Sequence, residues 1–151
     1  MYEIFCDLDG VLADFDRGIY ELTGSYPKEL PLKEMWKSAA KARGFYTHLE
    51  WMSDGHLLWD YIKEREPTIL TGKPMGTWAE PQKLEWCGRE LGKEVAVEVC
   101  WTRDKHLWSG KNKILIDDRE KTAGPWAEAG GIFILHTSAE NSIAQLKALG
   151  L

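Results

Sequence analysis

Five short runs of apolar residues recur along the chain, and each is too short for a helix of ordinary length. They are Glu3-Ile-Phe-Cys-Asp7, Pro67-Thr-Ile-Leu-Thr71, Val95-Ala-Val-Glu-Val-Cys-Trp101, Lys113-Ile-Leu-Ile-Asp117 and Ile132-Phe-Ile-Leu-His136. Their nearly continuous apolar character predicts strands covered on both faces, hence a mostly parallel sheet. Helical spacing fills the intervals. Thr77-x-x-Glu80 reads as a capping box ahead of Leu84, Cys87 and Leu91 on one face, with Gly92 as the stop. Thr137-x-x-Glu140 reads as a second box, with Ile143, Leu146 and Leu149 facing inward. Pro125 opens a short helical segment ending at Gly130-Gly131. Alternating strands and helices predict an α/β layered fold.

One interval is too long for a simple crossover. About 60 residues separate the first two strands, where about a dozen would suffice. This interval has its own helical pattern, at about 14–22, 31–43 and 54–65, with Pro31 at the start of the second helix and Gly44 just past its end. The expected organisation is an α/β core of residues 1–13 and 66–151, with residues 14–65 inserted after strand one as a small helical cap.

Composition narrows the function. The 151 residues suit one domain with an insertion. The 19 basic and 24 acidic residues give a net charge of −5, which argues against coating long nucleic acids. A small anionic ligand needs only a few local cations. Cys6, Cys87 and Cys100 form no C-x-x-C pair and read as buried thiols in a reducing compartment. No basic-then-apolar leader or membrane-length run is present, so a soluble cytoplasmic protein is expected.

The chemistry gathers at strand ends. Strand one ends in Asp7-Leu8-Asp9-Gly10, strand two in Thr71-Gly72 and strand four in Asp117-Asp118; Thr102-Arg103-Asp104-Lys105 follows strand three. Parallel sheets bind ligands at the carboxyl ends of their strands. Each element alone is an ordinary turn, cap or surface lysine; the ordered set is not. Four carboxylates in one crevice require a positive partner, and hard oxygen donors suit Mg²⁺ with a substrate phosphate.

Asp7-Leu-Asp-Gly-Val-Leu-Ala-Asp-Phe15 resembles the first motif of the haloacid dehalogenase superfamily of phosphatases, and the later strand ends resemble its other motifs in order. Thr102-Arg-Asp-Lys105, Leu115-Ile-Asp-Asp-Arg119 and Gly44-Phe-Tyr46 are similar to the 5′(3′)-deoxyribonucleotidase family within it. The match covers about residues 4–15, 44–55 and 101–119. It departs at Gly72, where the family usually carries serine. The resemblance implies a three-layer sandwich with a five-stranded sheet, a helical cap and a Mg²⁺-dependent phosphatase acting on nucleoside monophosphates. Asp7 would be the nucleophile and Asp9 the acid–base; Thr71 and Lys105 would hold the phosphoryl group. The metal would lie among Asp7, the Asp9 backbone carbonyl, Asp117 and Asp118, which leaves open which of the last two binds directly. Phe15, Phe45, Tyr46, Gly72 and Arg103 would contact the substrate.

Trp86 and Trp101 read as core, and Trp36, Trp51 and Trp59 as the packing of the cap or a pocket for a flat base. His48, His56, His106 and His136 have no ligand spacing and read as surface or supporting residues. Two alternatives stand beside a nucleotidase. One is a phosphatase for another small phosphomonoester, such as a sugar phosphate or a nucleic-acid 3′-phosphate. The other is a binding protein of the same fold without turnover.

Overall fold

The structure, a computed structural model, describes residues 1–151. Five strands form one sheet: β1 (Glu3–Cys6), β2 (Thr68–Gly72), β3 (Val97–Cys100), β4 (Lys113–Asp117) and β5 (Ile132–Leu135). Every pairing is parallel, in the order β3-β2-β1-β4-β5. The chain therefore winds outward from the central strand to one edge, then crosses back to start again on β1's other side. Such a reversal opens a crevice at the carboxyl ends of the strands, here between β1 and β4.

The strand residues alternate between two cores. Ile4, Cys6, Ile69, Ile114, Ile116 and Ile134 belong to the larger one, shared with helices α1 (Phe15–Thr23), α2 (Leu32–Lys41), α3 (Gly55–Ile62), α4 (Ala79–Glu90) and α6 (Ala139–Ala148). Phe5, Leu70, Cys100 and Leu115 face the smaller one, closed by Trp126 of α5 (Ala123–Glu128) and by Trp108. Trp126 is fully buried, edge-on to Phe5 at 5.6 Å. The result is three layers of unequal thickness. No helix is long and apolar enough to cross a membrane.

The helices within residues 14–65 meet different helical neighbours. Asp14 caps α1 by accepting from the Arg17 N–H, and α1 packs against α2. Helix α3 packs instead against α6, with Leu58, Trp59 and Ile62 in the main core. Asp54 accepts from the Ala139 N–H at 2.7 Å and the Tyr61 hydroxyl donates to the Leu151 carbonyl at 2.9 Å.

Helix starts differ from the sequence reading at two places. Thr77 caps nothing: α4 begins at Ala79 and no side chain closes its first turn. On α6 the cap is Ser138 rather than Thr137, accepting from the Asn141 N–H at 3.1 Å. The inward face of α4 is also rotated. Ala79, Lys83, Trp86 and Cys87 are buried, whereas Leu84 is 44% exposed. All three cysteines are buried free thiols.

Candidate active site

The turn after β1 sets the first two carboxylates. The Leu8 carbonyl accepts from the N–H groups of Val11, Leu12 and Ala13, folding the chain back immediately after Asp7. Gly10 makes this possible with φ +82°, and a Cβ there would strike the Asp118 carboxylate. Asp7 is buried, and Asp9 is partly so.

Lys105 comes from a 3₁₀ segment (Thr102–Trp108) and reaches in beneath the strand ends. Its Nζ donates to Asp7 Oδ1 and to Asp117 Oδ2, both at 2.9 Å. Burial alone would lower the Lys105 pKa, but the two carboxylates hold it above the ordinary lysine value. Burial likewise opposes ionisation of Asp7, yet the Lys105 charge and hydrogen bond keep its pKa below the usual aspartate value. The same ammonium does not suffice for the remaining carboxyls. Burial, then the negative charge of Asp7, pushes Asp117 up to about 7 and Asp118 up to about 8.

Carboxylate oxygens of Asp7, Asp117 and Asp118 lie within 4.8 Å of one another. Both Asp117 oxygens already have partners, Lys105 on Oδ2 and the Arg119 N–H on Oδ1 at 2.9 Å. This hard, under-neutralised donor set fits a small divalent cation of the Mg²⁺ type. The Asp9 carboxylate is not part of the group. Its Oδ2 accepts from Lys83 at 2.7 Å, and its Oδ1 is buried with no partner. Burial raises the Asp9 pKa despite the Lys83 charge.

Lys83 is the charged residue that the sequence pattern missed. Its side chain is 0% exposed, and Nζ also donates to Thr71 Oγ1 at 2.8 Å and to the Gly72 carbonyl at 2.7 Å. Thr71 is fully buried, and its hydroxyl is engaged with Lys83 rather than open to the crevice. Beside it, a Cβ on Gly72 would collide with Thr102 Oγ1, so the threonine hydroxyl fills the space that a side chain at 72 would need.

These groups floor a crevice of about 980 Å³. Its upper walls are aromatic, with Phe15, Trp36, Tyr46, Trp78 and Trp101. Tyr46 and Trp78 stack at 5.5 Å. Phe45 does not line it: the ring is buried edge-on behind Phe15 and Tyr46. Trp101, expected in the core, lies at the crevice wall with Lys73 5.0 Å and Arg103 5.3 Å from its ring centroid. Trp86 is core, as its spacing suggests, and Trp59, read as cap packing or a base pocket, is buried in the main core. His136 is buried rather than superficial, its Nδ1 2.7 Å from Ser142 Oγ.

No protein-family model matches the chain, and no curated protein matches it in sequence. Solved structures do. A hydrolase from Streptococcus pneumoniae TIGR4 superposes with a TM-score of 0.55 at 13% identity, covering 99% of this chain and 98% of its own. A proposed beta-phosphoglucomutase from Thermotoga maritima gives 0.52 at 15%, covering 99% and 100%. A hydrolase from Pseudomonas syringae gives 0.51 at 12%, covering 99% of each. At these identities the likeness is one of architecture. With its parallel five-stranded sheet, its strand order and its acidic crevice at the strand ends, the chain has the haloacid dehalogenase-like α/β fold.

Proposed function

We propose that the protein is a Mg²⁺-dependent phosphomonoester hydrolase that works through an aspartyl-phosphate on Asp7, with nucleoside monophosphates as its substrates. The observation that carries this reading is the floor of the crevice. One carboxylate is kept ionised by Lys105, two more crowd it within 4.8 Å, and a separate carboxyl beside them has an unpartnered oxygen.

Asp7, Asp118 and Asp117 would hold the cation, with Asp118 as the more direct ligand because both Asp117 oxygens are engaged. When bound, Mg²⁺ neutralises charge on the phosphoryl oxygens and lowers their repulsion of an incoming anion. An Asp7 oxygen attacks phosphorus, and the bond to the leaving oxygen breaks. Asp9, whose burial favours its protonated form, gives that oxygen its proton. Asp9 then removes a proton from water. The resulting hydroxide attacks phosphorus, and the Asp7–phosphorus bond breaks to release inorganic phosphate. Lys105 stays charged throughout and steadies Asp7.

The aromatic walls support a flat leaving group. Phe15, Tyr46, Trp36 and Trp78 offer faces on which a base can stack. Within residues 14–65, α1, α2 and the segment carrying Tyr46 would serve as the cap, and α3 as part of the core. A sugar phosphate is the second reading, favoured by the likeness to a proposed beta-phosphoglucomutase.

The test is phosphate release from thymidine, uridine and adenosine monophosphates, glucose 6-phosphate and an aryl phosphate, with Mg²⁺ and with chelator. Mg²⁺-dependent turnover favouring the nucleotides, lost in Asp7→Asn, is expected. Wild-type-like turnover in Asp7→Asn would overturn the covalent route, and a preference for the sugar phosphate would overturn the substrate class alone.

A further inference from the structure

The reaction as described leaves one buried charge without a task. Lys83 sits on α4, 0% exposed, and its ammonium has three N–H bonds to give. All three are used: Asp9 Oδ2 at 2.7 Å, Thr71 Oγ1 at 2.8 Å and the Gly72 carbonyl at 2.7 Å. The Tyr46 ring covers it, 4.4 Å from Nζ to the centroid. Lys83 is absent from the crevice wall and has no free donor, so it cannot clamp a substrate phosphate without breaking one of these bonds.

Its effect falls on Asp9. A carboxyl group carries its proton on either oxygen, and only one of the two can face a leaving group. Here Oδ2 is held by a cationic donor that has nothing to accept, which makes it the wrong place for a proton. Oδ1 is buried, has no protein partner and belongs to a residue lining the crevice.

We propose that Lys83 is a positioning residue that locks the Asp9 side chain and confines its transferable proton to Oδ1. The inference rests on the reading of Asp9 as the acid–base of a phosphatase. In the first step the Asp9 Oδ1 proton passes to the leaving oxygen as its bond to phosphorus breaks and the Asp7–phosphorus bond forms. In the second step Oδ1 recovers a proton from water. Through Thr71 and Gly72 the same ammonium ties the end of β2 to Asp9, so the turn after β1 and the end of β2 move as one body.

The experiment compares Lys83→Met and Lys83→Gln with the wild type on two Mg²⁺-supported substrates. Thymidine 5′-monophosphate has an alkoxide leaving group that needs a proton. 2,4-Dinitrophenyl phosphate releases a stable phenolate that needs none. General acid–base catalysis contributes about 10²–10⁴-fold. Mispositioning Asp9 should therefore cut kcat on the nucleotide about a hundredfold, with KM changed less than about threefold. On the dinitrophenyl ester, the pre-steady-state burst of phenolate should keep its rate within about threefold. Slow turnover should follow, because water activation also needs Oδ1.

Circular dichroism and melting confirm that the variants fold; if Lys83→Met does not, Lys83→Gln retains a donor and carries the test. In an Asp9→Asn background, either substitution should cost less than about threefold further on the nucleotide, since there is no acid left to position. Equal loss of burst and nucleotide turnover, a raised KM at unchanged kcat, or additive losses with Asp9→Asn would overturn the inference while the phosphatase reading stands. A wild type inactive on both substrates overturns both together.

Discussion

One ammonium faces three carboxylates at the crevice floor, and the imbalance has a measurable cost in stability. Asp117 is 0% exposed, and raising its carboxyl from the ordinary value to about 7 corresponds to about 4 kcal/mol. Asp118 stands on an exposed residue, where solvent screening reduces the worth of its shift to about 1 kcal/mol. Both shifts come from burial and then from the charge of Asp7, so the contributions overlap; about 4 kcal/mol is the whole, of which the span from pH 5 upward holds about 3 kcal/mol. The sign follows from proton binding. The folded chain keeps protons on these carboxyls up to about pH 7–8, whereas the unfolded chain releases them near the ordinary aspartate value of 3.8. The folded state thus binds more protons across that interval, and its stability falls as pH rises. His136, held below 6.5 by burial, acts in the opposite sense on the acid side of that value. In chelator, melting from about pH 5 to about pH 9 should lower Tm by roughly 6–12 °C. Mg²⁺ at a hundred times its Kd should restore about 2.7 kcal/mol at the alkaline end. Asp118→Asn should flatten the metal-free profile and lose most of the Mg²⁺ response. A flat wild-type profile, or an equal Mg²⁺ shift in the variant, would refute the reasoning.

Four further substitutions address the crevice and the packing behind it. Trp78→Ala or Phe15→Ala should lower kcat/KM for a nucleotide about ten- to a hundredfold and for an aryl phosphate much less, since stacking on a base is worth about 1–3 kcal/mol. Phe45→Ala, behind the wall, should affect all substrates alike and show mainly as a lower Tm. Gly10→Ala should destabilise by more than about 1 kcal/mol, because the left-handed backbone and the Asp118 carboxylate both oppose a methyl group there; calorimetry and a weakened Mg²⁺ shift would register it.

The architecture was legible because its signals are local. All five strands fall within two or three residues of their apolar runs, and Asp7, Lys105, Asp117 and Asp118 converge because parallel strands end on the same side of a sheet. What stayed hidden depends on a rotation that hydropathy does not encode. Leu84 invites the inward face of α4, yet α4 instead turns Lys83 inward, where Asp9, Thr71 and the Gly72 carbonyl supply acceptors. A lysine beside a leucine reads as solvent-facing unless its buried partners, 11–74 residues away, are known. Trp101 and Phe45 exchanged their expected settings for a similar reason. A strand-end tryptophan and a loop phenylalanine look alike in sequence, and only the course of the neighbouring chain decides which meets the crevice. The packing of α3 against α6 was equally invisible, because it involves Asp54 and Tyr61 reaching residues 139 and 151.

The strand order also governs how the molecule assembles in time. The central strand is made first, but β4 starts 110 residues after β1, and the Asp7–Lys105 bridge spans 98 positions of chain. During synthesis at about 5–20 residues per second, β1 waits several seconds for its second neighbour. Loop closure over such separations makes β1–β4 pairing a slow event. A nucleus built from β1, β2 and the helices between them can form without the catalytic floor, which then closes late. Groups that come together after the rate-limiting step act on the escape rate from the native state, not on the rate of reaching it. A cation gripping Asp7 and Asp118 would therefore slow unfolding while refolding proceeds at its metal-free pace, so the loaded protein persists longer without forming faster.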